Sequence, residues 1–245
     1  MLEEAEKVVA GPAPSGGETG SSERTWARVG AWSGIVFMLL GLGATFLYTQ
    51  PPRIDSSPAT MLHWAHSHRA GIDAGMILAV FGSAVIIPFV VALRRRLSAS
   101  GDDFLGSVAF GVGLGYAFMV GLGALPLATL IFMDGQPGGI TDGNMVRFLV
   151  DSYQIIYAPA TVMVGALLLV SGWTALRSNV FATWVGWAAI VIGAVCAVET
   201  VPVMVNNSYH PGPWAVVGWI SAVGSLLVIL LLCIEMLRRP DASPA

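Results

Sequence analysis

Charge is what this sequence has least of. Asp, Glu, Lys and Arg make up 11% of its 245 residues, where a soluble domain carries about 25%. A chain so poor in charge cannot coat a water-facing globule, which excludes an ordinary soluble enzyme. Disorder is excluded from the other side. It needs low hydrophobicity and high net charge, and this chain is 55% hydrophobic with a formal net charge of −3. Lys7 is the only lysine, and no basic face for nucleic acid can be assembled. What fits is a multi-pass membrane protein.

Cysteine is equally scarce. Cys196 and Cys233 both sit in long apolar runs, at depths that differ by roughly 20 Å on the topology below. A disulfide needs Cα atoms within about 7 Å, so two buried free thiols are expected. Catalytic signatures are missing too. The sequence has no Walker motif, nucleophile elbow, CxxCH haem attachment or HExxH zinc helix. No histidine lies at mid-span for a bis-histidine haem, and no arginine ladder resembles a voltage sensor. No sizeable soluble domain remains once the apolar runs are removed.

Those runs are what the sequence has in abundance. About 20 apolar residues cross roughly 30 Å of hydrocarbon, and six stretches qualify: about 29–49, 71–93, 104–133, 155–176, 180–202 and 213–237. The third is long enough that it must tilt, or break near Gly121, Gly123 and Pro126. Residues 1–25, rich in Glu, Gly, Pro and Ser, read as a disordered tail with none of the basic-then-apolar order of a signal peptide. The expected domains are this tail, a membrane domain over 26–239 and a short tail over 240–245.

Arginine placement orients the bundle. With the N-terminus inside, Lys7, Arg24, Arg28, Arg94, Arg95, Arg96, Arg177, Arg238 and Arg239 lie inside. Only Arg53, Arg69 and Arg147 lie outside. Positive residues prefer the cytoplasmic side, so both termini are expected in the cytoplasm. Aromatic belts agree. Trp26, Trp32, Trp173, Trp184 and Trp187 fall near the inner interface. Tyr48, Trp64, Tyr153, Tyr157, Tyr209, Trp214 and Trp219 fall near the outer one. The arginine bias, with abundant Ala, Gly and Val, points to a GC-rich bacterial genome and hence to the bacterial inner membrane.

Small residues let helix backbones approach in lipid. Gly30/Gly34, Gly71/Gly75 and Gly111/Gly115 have the GxxxG spacing and are expected helix contacts, within the bundle or with a second copy or a partner membrane protein. GVGLG at 111–115 lies inside an apolar span and so does not read as a phosphate loop. The outer loops after spans one and three each hold a short amphipathic stretch. Ser57 with Pro58 and Asp142 or Asn144 are the expected helix starts. A shift of 84 positions carries Met61 onto Met145, as a parallel duplication would.

Three of the four histidines lie in HWAHSH: His63, His66 and His68. On a helix His63 and His66 share a face. Two imidazoles so spaced bind zinc or copper when further ligands arrive. His210, Asp73 and Glu199 belong to the same outer half. The plain alternative is a wet amphipathic helix with polar histidines, or a pH-sensing cluster. No organic cofactor is expected. Among the acids, Glu235 has Arg238 and Arg239 to pair with, and Asp73 sits near a helix start. Glu199, in AVCAVETVPVMV, must face the bundle interior, snorkel or be protonated. Pro88, Pro126 and Pro159 interrupt three spans, as in transporters with broken helices and in ordinary membrane helices.

Residues 173–195 read WTALRSNVFATWVGWAAIVIGAV, with Leu176, Arg177, Ser178, Trp184, Gly186, Trp187 and Gly193 at the positions that matter. This stretch resembles a segment of small six-span, actinobacterial-type membrane proteins of unknown function. The resemblance implies a membrane location and no assigned reaction. The expected fold is therefore all-α: six transmembrane helices with short interfacial helices in the larger outer loops. The leading functional expectation is transport or permeation of a small solute or ion through Glu199 and Asp73. The others are a metal-dependent membrane enzyme using His63, His66 and His210, and a non-catalytic sensor or partner subunit.

Overall fold

The computed structural model describes residues 16–48, 51–52, 55–178, 180–206 and 213–239, and of residues 16–23, 202–206 and 213–215 the backbone alone. Seven helices occur among them and no strand: α1 (Gly16–Leu47), α2 (Pro58–Ser67), α3 (Arg69–Ser98), α4 (Asp103–Asp134), α5 (Gly143–Ser178), α6 (Thr183–Asn206) and α7 (Pro213–Arg238). All but α2 contain a stretch long and apolar enough to cross a membrane. Helix α1 starts before the expected domain boundary at 26. Residues 1–15 and 240–245 lie outside the described residues.

Short connections make successive long helices antiparallel. The chain runs around a closed ring, α1–α3–α4–α5–α6–α7, and α7 packs back on α1. One end of the ring carries Arg94–Arg96, Arg177, Arg238 and Arg239. The other carries α2 and the start of α5, and is called the α2 end below.

Large apolar side chains point outward from every long helix. Leu39, Phe81, Phe118, Ile155, Val191 and Leu227 are all exposed. A soluble monomer rarely exposes apolar patches beyond a few hundred Å², whereas in a bilayer these side chains meet lipid. The chain is an integral membrane protein.

Local signals set the helix starts. The Ser57 hydroxyl accepts from the Thr60 N–H at 3.2 Å, with Pro58 at the first helical position. Asp142 accepts from the Asn144 N–H at 2.8 Å, and its carbonyl accepts from the Val146 N–H. The two amphipathic stretches then diverge. The first forms a separate helix, α2, which ends at a one-residue kink at His68 (φ −113°, ψ 12°) before α3 resumes. The second is no separate interfacial helix but the opening turns of the continuous α5. Gly143 lies so close to the Pro58 carbonyl that a Cβ there has no room.

Helix α4 is likewise unbroken from Asp103 to Asp134, so the long third span extends past the hydrocarbon or tilts. Helices α3 and α5 also continue through Pro88 and Pro159. None of Pro88, Pro126 and Pro159 breaks its helix.

The two cysteines are buried and free. Glycine contacts are only partly those of the GxxxG spacings. Gly71 approaches the Leu47 carbonyl and Gly34 approaches Phe89 and Cys233. Gly111, by contrast, has open space where a Cβ would stand. The closest backbone approach between α5 and α6 uses other glycines, in the pairs Gly165/Gly193 and Gly172/Gly186.

Candidate functional site: a tyrosine-lined cavity around Glu199

The ring of helices encloses a cavity of about 250 Å³ in the half of the bundle toward the α2 end. All six long helices contribute to its wall. Pro51, just past α1, marks how far it reaches toward that end.

Helix α5 supplies one face. Tyr153, Tyr157 and Thr161 recur every four residues and so line one side of the helix, with Gln154 beside them. Tyr153 and Tyr157 stack with ring centroids 5.5 Å apart. Tyr48, from the end of α1, adds a third ring 5.4 Å from Tyr153. Tyr116 of α4 meets Phe37 of α1 edge to face at 6.0 Å. Both rings line the wall. Tyr48, Tyr153 and Tyr157 therefore turn into the bundle and do not form part of a lipid-facing belt. Trp64 is also buried, within the apolar cluster under α2. Trp26, Trp32, Trp173, Trp184 and Trp187 do face outward.

Helices α6 and α7 supply the polar floor. Glu199 and Thr200 come from α6, and Ser221 and Ser225 from α7. Ser221 Oγ donates to Cys196 Sγ at 3.2 Å and lies beside Glu199. Tyr157 lines the same cavity as Glu199. Several wall hydroxyls spend their protons on their own helix. Thr45 donates to the Gly41 carbonyl at 2.8 Å, Thr200 to Cys196 at 3.3 Å and Ser225 to Ala222 at 3.1 Å. That leaves oxygen lone pairs for whatever occupies the space.

The structure separates the residues that sequence reasoning grouped. Glu199 lines the cavity, facing the bundle interior. Asp73 is exposed on α3 and does not line it. His63 and His66 do share a face of α2, the exposed one, opposite the buried Met61, Trp64 and Ala65. His66 Nε2 lies 3.1 Å from Asp134 Oδ1, and Arg69 holds the other oxygen of that carboxylate at 3.1 Å. His68 sits at the kink, with Nδ1 3.0 Å from the Trp64 carbonyl and its ring stacked on Trp64. His210 lies outside the described residues. Among the described residues no three His, Cys, Asp or Glu side chains come together as a metal site.

The tyrosines, Gln154 and Ser221 were missed as site residues. The signal was available in the four-residue repeat of Tyr153, Tyr157 and Thr161, matched by Ser221 and Ser225 on α7. A polar stripe inside an apolar span marks the face that avoids lipid.

At the arginine end, Glu235 is buried and reaches Arg239 at 3.6 Å and Arg238 at 4.0 Å. Arg96 is buried as well. It donates to the carbonyls of Arg239 (2.5 Å) and Val180 (3.2 Å) and covers the Phe181 ring. These contacts tie α3 to the ends of α6 and α7 at the end of the ring opposite the cavity.

A domain of unknown function, DUF4386, matches residues 31–237. The chain belongs to the DUF4386 family. The matched region takes in every helix that lines the cavity, so cavity and family domain coincide. No curated protein and no solved structure matches the chain.

Proposed function

We infer that this DUF4386 protein admits a small solute from the outer side of the bacterial cytoplasmic membrane into its cavity, for transport or permeation. The observation that carries this reading is the cavity itself: about 250 Å³, walled by all six spans, lined with hydroxyls and holding Glu199. An acid inside an apolar bundle is costly to keep and marks substrate or ion pathways. The arginine clusters support an orientation with that end and both termini in the cytoplasm. The α2 end, with Arg69 and Arg147, then faces outward, and so does the near end of the cavity. On this orientation the contacts of Arg96 and Glu235 lie on the cytoplasmic side.

The test is side-specific labelling of the wall. Thr161→Cys is placed in a Cys196→Ala/Cys233→Ala background, and vesicles of both orientations are exposed to a membrane-impermeant maleimide. Labelling from the external face alone is expected. Labelling from neither face, or from the cytoplasmic face only, would sink the reading.

A further inference from the structure

Aromatic rings recur around the cavity. Phe37, Tyr48, Tyr116, Tyr153, Tyr157 and Trp219 all line it, so that four of the helical segments contribute a ring. Several of these rings already pair, Tyr48 with Tyr153, Tyr153 with Tyr157 and Phe37 with Tyr116. Stacked and edge-to-face ring pairs gain more than the burial of their area alone. A further ring in this space therefore gains more than an aliphatic group of the same size.

The hydroxyls between the rings set the polar half of the occupant. Thr45, Thr200 and Ser225 donate to carbonyls of their own helices. A hydroxyl has one proton to give and two lone pairs, so each of these oxygens keeps capacity to accept. An occupant that brings an O–H donor matches them. Charge works against an ion as occupant. On entering an apolar bundle an ion gives up its hydration and recovers it only through a counter-charge in good geometry. A phenol escapes that cost, because its hydroxyl titrates near that of tyrosine, at about 10, and is neutral at pH 7. Volume sets the size. A cavity of about 150 Å³ holds benzene, so 250 Å³ suits about ten non-hydrogen atoms on the same scale.

We propose that the cavity binds a small neutral phenol, its ring against Tyr116, Tyr153 and Tyr157 and its hydroxyl donating to Thr200 or Ser225. This names the class of solute for the site described above and rests on that reading.

The experiment separates ring, hydroxyl and charge. The full native chain in lipid nanodiscs is added to 4-fluorophenol. Saturable broadening of the fluorine NMR signal is expected, beyond the partitioning seen with empty nanodiscs. Four probes of similar size then compete: 4-methylphenol, 4-methylcyclohexanol, toluene and benzylamine, the last an ammonium ion at pH 7. The methylcyclohexanol keeps the hydroxyl and loses the aromatic ring, and should need a concentration at least about tenfold above that of 4-methylphenol. Toluene keeps the ring and loses the hydroxyl, and should be weaker than 4-methylphenol by about fivefold. Benzylamine should also be the weaker competitor. Tyr157→Phe should hold 4-fluorophenol affinity within about threefold, and Tyr157→Leu should lose about tenfold. The comparison among the probes is made on the native chain, so it stands even where a variant fails to fold.

Methylcyclohexanol, toluene or benzylamine competing as well as 4-methylphenol overturns the proposal. Absence of fluorophenol binding, with Thr161→Cys still labelled from outside, overturns the phenol assignment and leaves the solute site standing. Absence of both binding and labelling overturns both. Binding in the expected order without labelling from outside upholds the phenol site and overturns its access from that face.

Discussion

Gly165 of α5 and Gly193 of α6 face each other so closely that a Cβ on either would stand 2.8–2.9 Å from the other's carbonyl oxygen. Two turns away Gly172 and Gly186 repeat the arrangement, at 2.6 and 3.1 Å. The spacing within each helix is seven residues, close to two helical turns, so the two glycines of each helix stay on one face. Helix α6 carries Glu199, and this contact sets where α6 stands in the ring.

Gly172→Val is accordingly expected to push α6 from α5 and destabilise the protein by about 1–3 kcal/mol, the usual cost of overpacking. Gly111→Ala is the internal comparison. Its Cβ would enter open space, and removing a helix-interior glycine there should be neutral or stabilising by up to about 1 kcal/mol. Thermal unfolding of both variants in one detergent measures the difference. Equal melting temperatures would mean that the α5–α6 approach contributes nothing.

Arg96 ties the ends of three segments together. Its guanidinium reaches the carbonyl of Arg239 after α7 and that of Val180 before α6, with Glu235 near by. Lysine carries a compact point charge and cannot reproduce the planar fork. Arg96→Lys should therefore cost about 1.5–3 kcal/mol, the scale of a charged hydrogen bond lost from a buried site. Loss of thermal stability, with external labelling of Thr161→Cys retained, is the expected pattern. Wild-type stability in Arg96→Lys would show that the clamp is not structural.

Asp134 closes α4 with the opposite kind of contact. His66 and Arg69 both approach its carboxylate, but each is nearly half exposed. Exposed ion pairs contribute about 0–1 kcal/mol. Asp134→Asn should lower stability by less than about 1 kcal/mol, and the difference should shrink toward zero near 1 M salt, where the screening length is about 3 Å. A larger, salt-insensitive loss would mean that Asp134 holds α2 in place by more than charge.

The division between sequence and fold follows from what each kind of signal measures. Six spans, the Ser57 and Asp142 helix starts and the absence of a disulfide are local properties, set by run length, capping chemistry and depth. They are legible without any packing information, and so is the discomfort of Glu199, because one acid in an apolar run must turn inward, snorkel or be protonated. Packing decided the rest. In water the buried face of a helix is marked by polarity, but lipid is as apolar as a protein core. Leu39 facing lipid and Leu167 facing the bundle therefore read alike. That is why Tyr153 and Tyr157 read as a lipid belt when they form a cavity wall, and why the Gly165/Gly193 contact escaped a search for shorter spacings. It is also why the histidines of α2 read as neighbours of Glu199. The closure of the ring placed Glu199 inside it and left His63 and His66 on an exposed face, because α2 turns its apolar Met61, Trp64 and Ala65 toward the bundle.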